Sequence, residues 1–322
     1  MARGPLSQSD YSPQFAGHET FPLRYGWLKK VFDRVAETER EAANKTACFG
    51  EDAIARFGVG KNMVLSMRHW AKAAGIIREE SQTNRVTTTP LGQRLFGPEG
   101  IDPYMEYPST LWLIHWQLAA RAVSPTVWCW AFNYYSDNIF DRDVLKRRLE
   151  RFIQDQRWKN VSPNTLNKDV SCFIRTYVAR PPSTQAGHDD ALESPLTELG
   201  LIKATGKNGF RFVRGKKPTL GDGVFIYALL DLWSQHPHAT TLSFELIAKD
   251  PGGPGRVFGF NDNDVVDRLA ALEEVTRGKL WWSDSTGIHQ VSRKDTVALN
   301  EETKTDFLKK DYKTRPVESE VA

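Results

Sequence analysis

The chain has 322 residues, of which 40% are hydrophobic and 26% are charged, and its formal net charge at pH 7 is +3. These values are those of an ordinary soluble protein with room for two or three domains, and they exclude a histone-like polycation. Its three cysteines lie far apart without a C-x-x-C pair, so neither a zinc knuckle nor a disulfide framework is indicated. No apolar stretch of about 20 residues is uninterrupted, which predicts a cytoplasmic protein without a membrane partner.

The first segment that could carry chemistry is residues 15–24, just before a predicted helix over Leu23–Val35. His18 and Glu19 are adjacent there and could supply a metal ligand or a proton-transfer group. Neighbouring residues of an extended segment point in opposite directions, however, so both cannot easily serve one site. The alternative is that they cap or tie the following helix. Cations that could bind phosphate are close in sequence: Arg24, Lys29 and Lys30.

Residues 51–91 form the most informative stretch of the chain, because apolar residues recur there at helical spacing. The predicted buried stripe consists of Met63, Val64, Met67, Trp70, Ala71 and Ala74. The opposite face carries side chains that can donate to phosphates or read base edges, namely Lys61, Asn62, Ser66, Arg68, His69 and Lys72. Gly75 ends the helix, and residues 76–78 are predicted to pair with 85–88, which places Arg85 on a hairpin. This winged helix-turn-helix pattern makes double-stranded DNA the first partner to consider.

Residues 103–135 are crowded with aromatic side chains, and Ser124-Pro125 divides them into two predicted helices. Because aromatic side chains mostly fill cores, we expect a helical hairpin that occupies the space between other units. The alternative is a platform on which the bases of single-stranded DNA stack.

Carboxylates that could bind a catalytic metal are scattered along the chain. Asp102 and Glu106 lie four residues apart at the start of the aromatic segment and are the candidate metal ligands. Asp102-Pro103 also matches a helix N-cap followed by proline at the first helical position, which explains Asp102 without a metal. Nuclease signatures and a phosphate-binding P-loop are both missing, so the sequence carries no self-contained catalytic motif.

Two further hairpins are predicted downstream. Residues 200–203 lead into residues 210–214, and Asn208-Gly209 favours a tight type I′ turn between them. Residues 278–282 turn and return through residues 288–291. Helices precede both hairpins, one of them with a predicted cap at Ser162. The chain therefore repeats a helix–helix–hairpin plan three times, without residue-by-residue self-similarity.

The predicted fold is mainly α with small antiparallel β-hairpins, built as tandem winged-helix-like units joined by the helical, aromatic-rich segment. Residues 1–140 are predicted to form an N-terminal winged-helix DNA-binding domain together with the aromatic helical hairpin. Residues 141–225 are predicted to form a second winged-helix-like unit. Residues 226–322 are predicted to form a third, whose charged tail after Lys294 we expect to be mobile.

Several blocks of sequence resemble a bacterial family of unknown function that accompanies DNA phosphorothioate modification genes. They are residues 17–30, which contain the distinctive GHETF motif, and residues 58–64, 102–106 and 111–116. The resemblance covers roughly residues 15–295. It implies a DNA-nicking protein that works in phage defence beside a cysteine desulfurase, an ATPase and a sulfurtransferase, and opens one strand so that sulfur can enter the backbone.

Two classes of function follow from these observations. In a nickase, Mg²⁺ or Mn²⁺ would activate water and neutralise charge on the phosphate. His18 and Glu19, with Asp102 or Glu106, are the candidates for metal ligand or base. Cations that would clamp the scissile phosphate are Arg24, Lys29 and Lys61. The alternative is a non-catalytic winged-helix protein that binds DNA and recruits the modification enzymes.

Overall fold

The computed structural model describes residues 4–8, 11–40, 48–50, 53–80, 85–121, 125–179, 193–285 and 287–312. About 53% of the described residues are helical, and the strands in these ranges form antiparallel sheets of two or three strands. The predicted class, mainly α with small β-hairpins, is confirmed. Across the same ranges, every helix is too short or too polar to cross a membrane.

The first unit follows the predicted order of helices and hairpin. It consists of α1 (Trp27–Arg40), α2 (Ala53–Phe57), α3 (Lys61–Ala73), β1 (Ile77–Glu79) and β2 (Val86–Thr88). Val64, Met67 and Trp70 are buried, and α3 packs against α1, as the apolar spacing predicts. Gly75 follows α3 with a φ of 68°, a left-handed conformation that ends the helix and that glycine adopts without strain.

The aromatic segment lies at the centre of the molecule. It contains α5 (Pro108–Ala120) and α6 (Thr126–Asn133), preceded by α4 (Pro90–Phe96). Trp112, Trp116, Trp128 and Trp130 are at most 2% exposed. The predicted helical hairpin is present, and the alternative of a base-stacking platform is wrong, because these rings are packed inside the core.

The second unit repeats the helix–hairpin plan with an additional strand. It consists of β3 (Ile139–Phe140), α7 (Arg142–Asp155), α8 (Pro163–Tyr177), a 3-10 helix (Pro195–Leu199), β4 (Ile202–Thr205) and β5 (Gly209–Phe212). Ser162 caps α8 by accepting the N–H of Thr165 at 3.1 Å, as predicted. The type I′ turn at Asn208-Gly209 is wrong, since the left-handed residue is Gly206 with a φ of 62° and Gly209 already pairs with Thr205 in the ladder.

The third unit is more elaborate than the sequence suggested. It consists of α9 (Asp222–Ser234), β6 (Thr241–Ser243), α10 (Phe244–Ala248), α11 (Pro254–Phe258), α12 (Asp262–Ala270), α13 (Leu272–Thr276), β7 (Leu280–Ser285) and β8 (Ile288–Arg293). The predicted hairpin is β7–β8, and β6 joins it to give the strand order β6-β8-β7.

The described part of the segment after Lys294, residues 295–312, is not the mobile tail that its charge predicted. It forms α14 (Glu301–Leu308), which packs against α9 and buries Phe307 and Leu308. Lys304 donates to Asp231 of α9 at 2.8 Å, and each side chain is only 4% exposed. A buried ion pair thus fixes a helix whose composition resembles a solvated tail. Residues 313–322 lie outside the described residues.

A single cluster of buried side chains runs through all three units, from Leu6 to Leu308. It crosses both of the predicted domain boundaries, at residues 140 and 225. The division into three domains therefore stays a prediction.

Candidate nucleic-acid interface

Residues 15–24, which we call the GHETF segment, lie between α3 of the first unit and α8 of the second. The backbone has positive φ at Ala16 (63°), Gly17 (81°), Glu19 (47°) and Thr20 (69°). This region is uncommon for residues with a Cβ, so tertiary contacts must hold the segment in place.

His18 is the central side chain of these contacts and is 1% exposed. Its Nδ1 accepts the backbone N–H of Thr20 at 3.0 Å, so the ring proton lies on Nε2, which donates to Asp169 of α8 at 3.1 Å. Both carboxylate oxygens of Asp169 also lie 3.1 Å from the backbone nitrogen of Ala16. Neither nitrogen of His18 retains a free lone pair for a metal or a proton. The alternative of a structural tie fits this geometry, although the tie is to α8 rather than to the helix that follows.

The second neighbour of His18 is His69 of α3, whose ring meets it edge-on with centroids 6.0 Å apart. The Nε2 of His69 is buried and has no hydrogen-bond partner among the described residues. Burial lowers the pKa of His69 to about 3, and the neighbouring His18 and Lys72 add to this effect. Ser66, on the same side of α3, is 0% exposed. The prediction that Ser66 faces DNA is therefore wrong, because the core covers it, whereas His69 is half-buried and packs against His18 of the GHETF segment.

The part of α3 that remains open to solvent begins at its first turn. Lys61 and Asn62 are exposed there, and within the described part of the chain their side chains make no hydrogen bond or ion pair. Leu65, one turn later, is 38% exposed. These side chains have the exposure that contact with a ligand requires.

Further along α3, two predicted DNA contacts are tied to the hairpin. Arg68 Nε lies 2.6 Å and Lys72 Nζ 3.1 Å from the carboxylate of Glu79 on β1. Arg68 also lies over the ring of Phe49, 5.2 Å from its centroid. Although partial burial opposes it, the two cations lower the pKa of Glu79. Two positive charges share one carboxylate, so this edge stays cationic and the hairpin is held against α3.

The remaining predicted DNA contacts are divided between α1 and the hairpin. Lys29 pairs with Asp33 on α1 at 2.6 Å, and Lys30 donates to the carbonyl of Phe57 at 2.6 Å. Both are therefore engaged within the protein. Arg85 is exposed immediately before β2. Its backbone carbonyl accepts the N–H of Glu80 at 2.9 Å, which continues the pairing of β1 and β2.

Arg24 has an unusual environment, being only 4% exposed. Its guanidinium lies over the rings of Phe21 and Trp27, at 5.5 and 5.4 Å from their centroids. Its Nε is buried without a hydrogen-bond partner, and no carboxylate in the described ranges pairs with it. Buried charges in proteins are usually paired, so Arg24 is a candidate ligand for an anion. Glu19 is half-buried while His18 is fully buried, but Glu19 and Thr20 lie in a turn with positive φ, so the extended segment on which the expected alternation depended is not present.

The candidate metal ligands do not come together. The carboxylate of Asp102 accepts the N–H groups of Glu106 at 2.8 Å and Tyr107 at 3.2 Å, and the hydroxyl of Thr110 at 2.5 Å. Asp102 is therefore used to fix the start of α5, while the side chain of Glu106 is exposed. Among the described residues, no three His, Cys, Asp or Glu side chains are grouped as a metal would require. The donors present do not fit the predicted Mg²⁺ or Mn²⁺ site.

Asp169 and the aromatic neighbours of Arg24 were not anticipated from the sequence. Asp169 carried a usable signal, because it lies on the same helical stripe as Leu166 and Phe173, both of which are buried. An acidic residue on an apolar stripe requires a buried partner. The sequence offered no means of identifying that partner as His18.

The protein is of the mainly α class. Its helix–hairpin units share one core, and the GHETF segment links the first unit to the second. The chain belongs to the family described as "Protein of unknown function (DUF4007)", whose model matches residues 15–312. It is similar to two solved structures of SspB, which confirms the resemblance. A magnesium ion-bound SspB crystal structure has 27% identity and a TM-score of 0.80, and an SspB crystal structure has 28% and 0.78. Each comparison covers 95% of this chain and 90% of the other. The similarity points to the Ssp system. No curated protein matches the chain.

Proposed function

We propose that this chain is a cytoplasmic, double-stranded DNA-binding component of an Ssp-type phosphorothioate modification system. Its DNA surface consists of the first turn of α3 and the β1–β2 hairpin. The order of α2, α3 and hairpin is that of a winged helix-turn-helix, in which the first residues of the recognition helix enter the major groove. The observation that carries the proposal is that Lys61 and Asn62 occupy those positions, exposed and unengaged by any described residue.

The chemistry of this surface suits duplex DNA. Lys61 stands at the N-terminus of α3, where the helix dipole adds partial positive charge, so it is suited to a backbone phosphate. Asn62 carries an amide, the group that bonds the N6 and N7 positions of adenine. Arg68, Lys72 and Arg85 extend the cationic edge along the helix and hairpin.

Binding to a labelled duplex over a series of salt concentrations tests this proposal. Lys61→Ala should weaken binding and reduce the slope of log Kobs against log[salt] by about 0.9, the release of one counterion. Lys249→Ala is the matched control, because this exposed lysine pairs with Glu245 at 3.0 Å in the third unit. An unchanged slope for Lys61→Ala would remove α3 as the DNA surface.

A second proposal, that the chain also nicks the duplex, is supported by its family and by Arg24. A buried guanidinium without a carboxylate partner among the described residues can stabilise negative charge on a phosphate that reaches it. One of the two similar SspB structures is magnesium ion-bound. The donors among the described residues do not form a metal site, so within the structure this proposal depends on Arg24 alone.

Plasmid relaxation, with and without Mg²⁺ or Mn²⁺, separates the two proposals. A nickase converts supercoiled plasmid into open circles, and Arg24→Met should abolish that product while Arg148→Ala, whose cation pairs with exposed Asp137 at 3.0 Å, should not. If the pure protein binds duplex but never nicks it, even with its partner proteins present, it is a recruiter. Co-purification with a cysteine desulfurase, an ATPase or a sulfurtransferase would then identify what it recruits.

A further inference from the structure

The β4–β5 hairpin pairs two positive charges directly across its strands. Lys203 of β4 is the register partner of Arg211 of β5, and both side chains are exposed. Like charges directly opposite each other destabilise an antiparallel pair. Neither cation forms an ion pair with a carboxylate anywhere in the described ranges. The arrangement is unfavourable in the free protein and becomes favourable when an anion lies over the hairpin.

The corresponding positions of the other hairpins are filled differently. In β7–β8, Asp284 is the register partner of His289, and the two side chains form an ion pair at 2.8 Å. In β1–β2, Arg78 is opposite Thr87 and donates to its hydroxyl at 3.1 Å. Of the three described hairpins, the second thus places two cations opposite each other without neutralising them.

The surroundings of this pair are also open. Arg211 has Ile139 as its partner on the other side, and Ile139 is 67% exposed. Acidic residues lie nearer the turn, where Asp141 and Asp143 line a pocket together with Arg142 and Lys207. Asp141 is engaged there as the N-cap of α7, at 2.7 Å from the backbone nitrogen of Val144. Neither Asp141 nor Asp143 forms an ion pair with Lys203 or Arg211.

We infer that the Lys203–Arg211 face of β4–β5 is a second DNA-binding surface, which takes the phosphates of a duplex whose groove is occupied by α3. This inference rests on the proposed function. It commits to DNA because β4 packs on α8, and α8 is tied through Asp169 and His18 to the segment that covers α3. Two cationic surfaces on one rigid frame can hold a single polyanion, and the second contact gains from the effective concentration set by the first. Contacts to phosphates carry no sequence information, so this surface adds affinity and register.

The first test is the salt dependence of duplex binding by the full-length protein. Replacing both Lys203 and Arg211 with alanine should reduce the slope by about 1.8, or 0.9 for each cation. Between 50 and 200 mM salt, the wild type should then lose about 12-fold more affinity than the double variant, on any duplex sequence. Asp284→Ala and His289→Ala, the matched changes in the third hairpin, should leave the slope unchanged.

A charge reversal separates loss of binding from loss of folding. Lys203→Glu places a carboxylate opposite Arg211, so the melting temperature should stay constant or rise while duplex affinity falls. A fall in both would overturn the inference, as would an unchanged slope for the double variant.

The result for Lys61→Ala distinguishes this inference from the proposed function. If Lys61→Ala weakens binding while the double alanine variant does not, the second surface is absent and the α3 surface stands. If only the double variant weakens binding, α3 is not the DNA surface, and the claim that both surfaces hold one duplex falls with it. A wild-type protein that binds no duplex overturns both.

Discussion

His18 donates its Nε2 proton to Asp169 across 151 residues of sequence, and each side chain is only 2% exposed. One partner belongs to the N-terminal GHETF segment and the other to α8. Because His18 also contacts His69 of α3, this hydrogen bond holds two helices from different units in one orientation. The most distinctive histidine of the sequence therefore links two units of the fold through its hydrogen bonds.

Asp169→Ala should destabilise the protein substantially. The change leaves the buried Nε2–H of His18 without its acceptor and also removes the acceptor of the Ala16 N–H, which we expect to lower the free energy of unfolding by about 2–4 kcal/mol. Asp33→Ala is the control, since Asp33 is exposed and pairs with Lys29, and it should change stability by less than about 1 kcal/mol. Urea denaturation measures both, and equal values for the two variants would contradict the role of Asp169.

Gly17→Ala should be more harmful than an alanine at another glycine of positive φ. A Cβ on Gly17 would lie 2.6 Å from Nδ1 of His69, and the φ of 81° is itself unfavourable for alanine. Gly58 has a φ of 61° but nothing within 4 Å of its Cβ position, so Gly58→Ala isolates the backbone cost of about 1–2 kcal/mol. Thermal unfolding should show a clearly larger loss for Gly17→Ala. Similar losses would mean that the GHETF segment can move away from α3.

Acid should destabilise the fold through His69. The unfolded chain binds a proton on this residue near its ordinary pKa of 6.5, whereas burial holds the folded pKa at about 3. Protonation therefore favours unfolding, and stability is lost as the pH falls below 6.5, by up to about 1.4 kcal/mol per pH unit.

Calorimetry at pH 7.5, 6 and 5 should show a flatter decline for His69→Phe than for the wild type. His115, whose pKa burial lowers to about 4, contributes its own decline to both proteins. If the two pH profiles are parallel, His69 is not the group responsible.

Arg24→Met should separate function from stability. Methionine removes the cation–π contacts with Phe21 and Trp27, but it also removes the cost of a buried, unpaired charge. We expect the free energy of unfolding to change by less than about 1 kcal/mol, while nicking is lost. Denaturation and plasmid relaxation on the same preparation test this. A large loss of stability with nicking intact would assign Arg24 a purely structural role.

The features that local patterns encode were predictable. The buried stripe of α3, the Ser162 cap and the three hairpins each depend on residues a few positions apart. The burial of Ser66 and the partial burial of His69 were not predictable. The apolar stripe of α3 indicates one buried side of the helix, whereas other parts of the protein pack against two of its sides. The covering residues include the GHETF segment, and its contact with α8 spans 151 residues.

The helix after Lys294 shows the same limit. Half of its residues are charged, and the sequence alone indicates that Lys304 is exposed to solvent, whereas the fold places Asp231 next to it. The local sequence shows that a side chain is charged, but it does not show which oppositely charged side chain the fold will place beside it. Asp102 was anticipated only in part: the adjacent proline predicted an N-cap with Pro103 at the first helical position, whereas α5 begins at Pro108 with Tyr107 as its N-cap, and Asp102 holds the turn that precedes it.

The position of the GHETF segment also affects how the protein is made. Ala16 leaves the ribosome 153 residues before Asp169, its hydrogen-bond acceptor on α8. At synthesis rates of about 5–20 residues per second, that interval lasts roughly 8–30 s. During this interval the GHETF segment, which covers one side of α3, lacks its hydrogen bonds to α8. A polypeptide truncated before α8 would never form these hydrogen bonds.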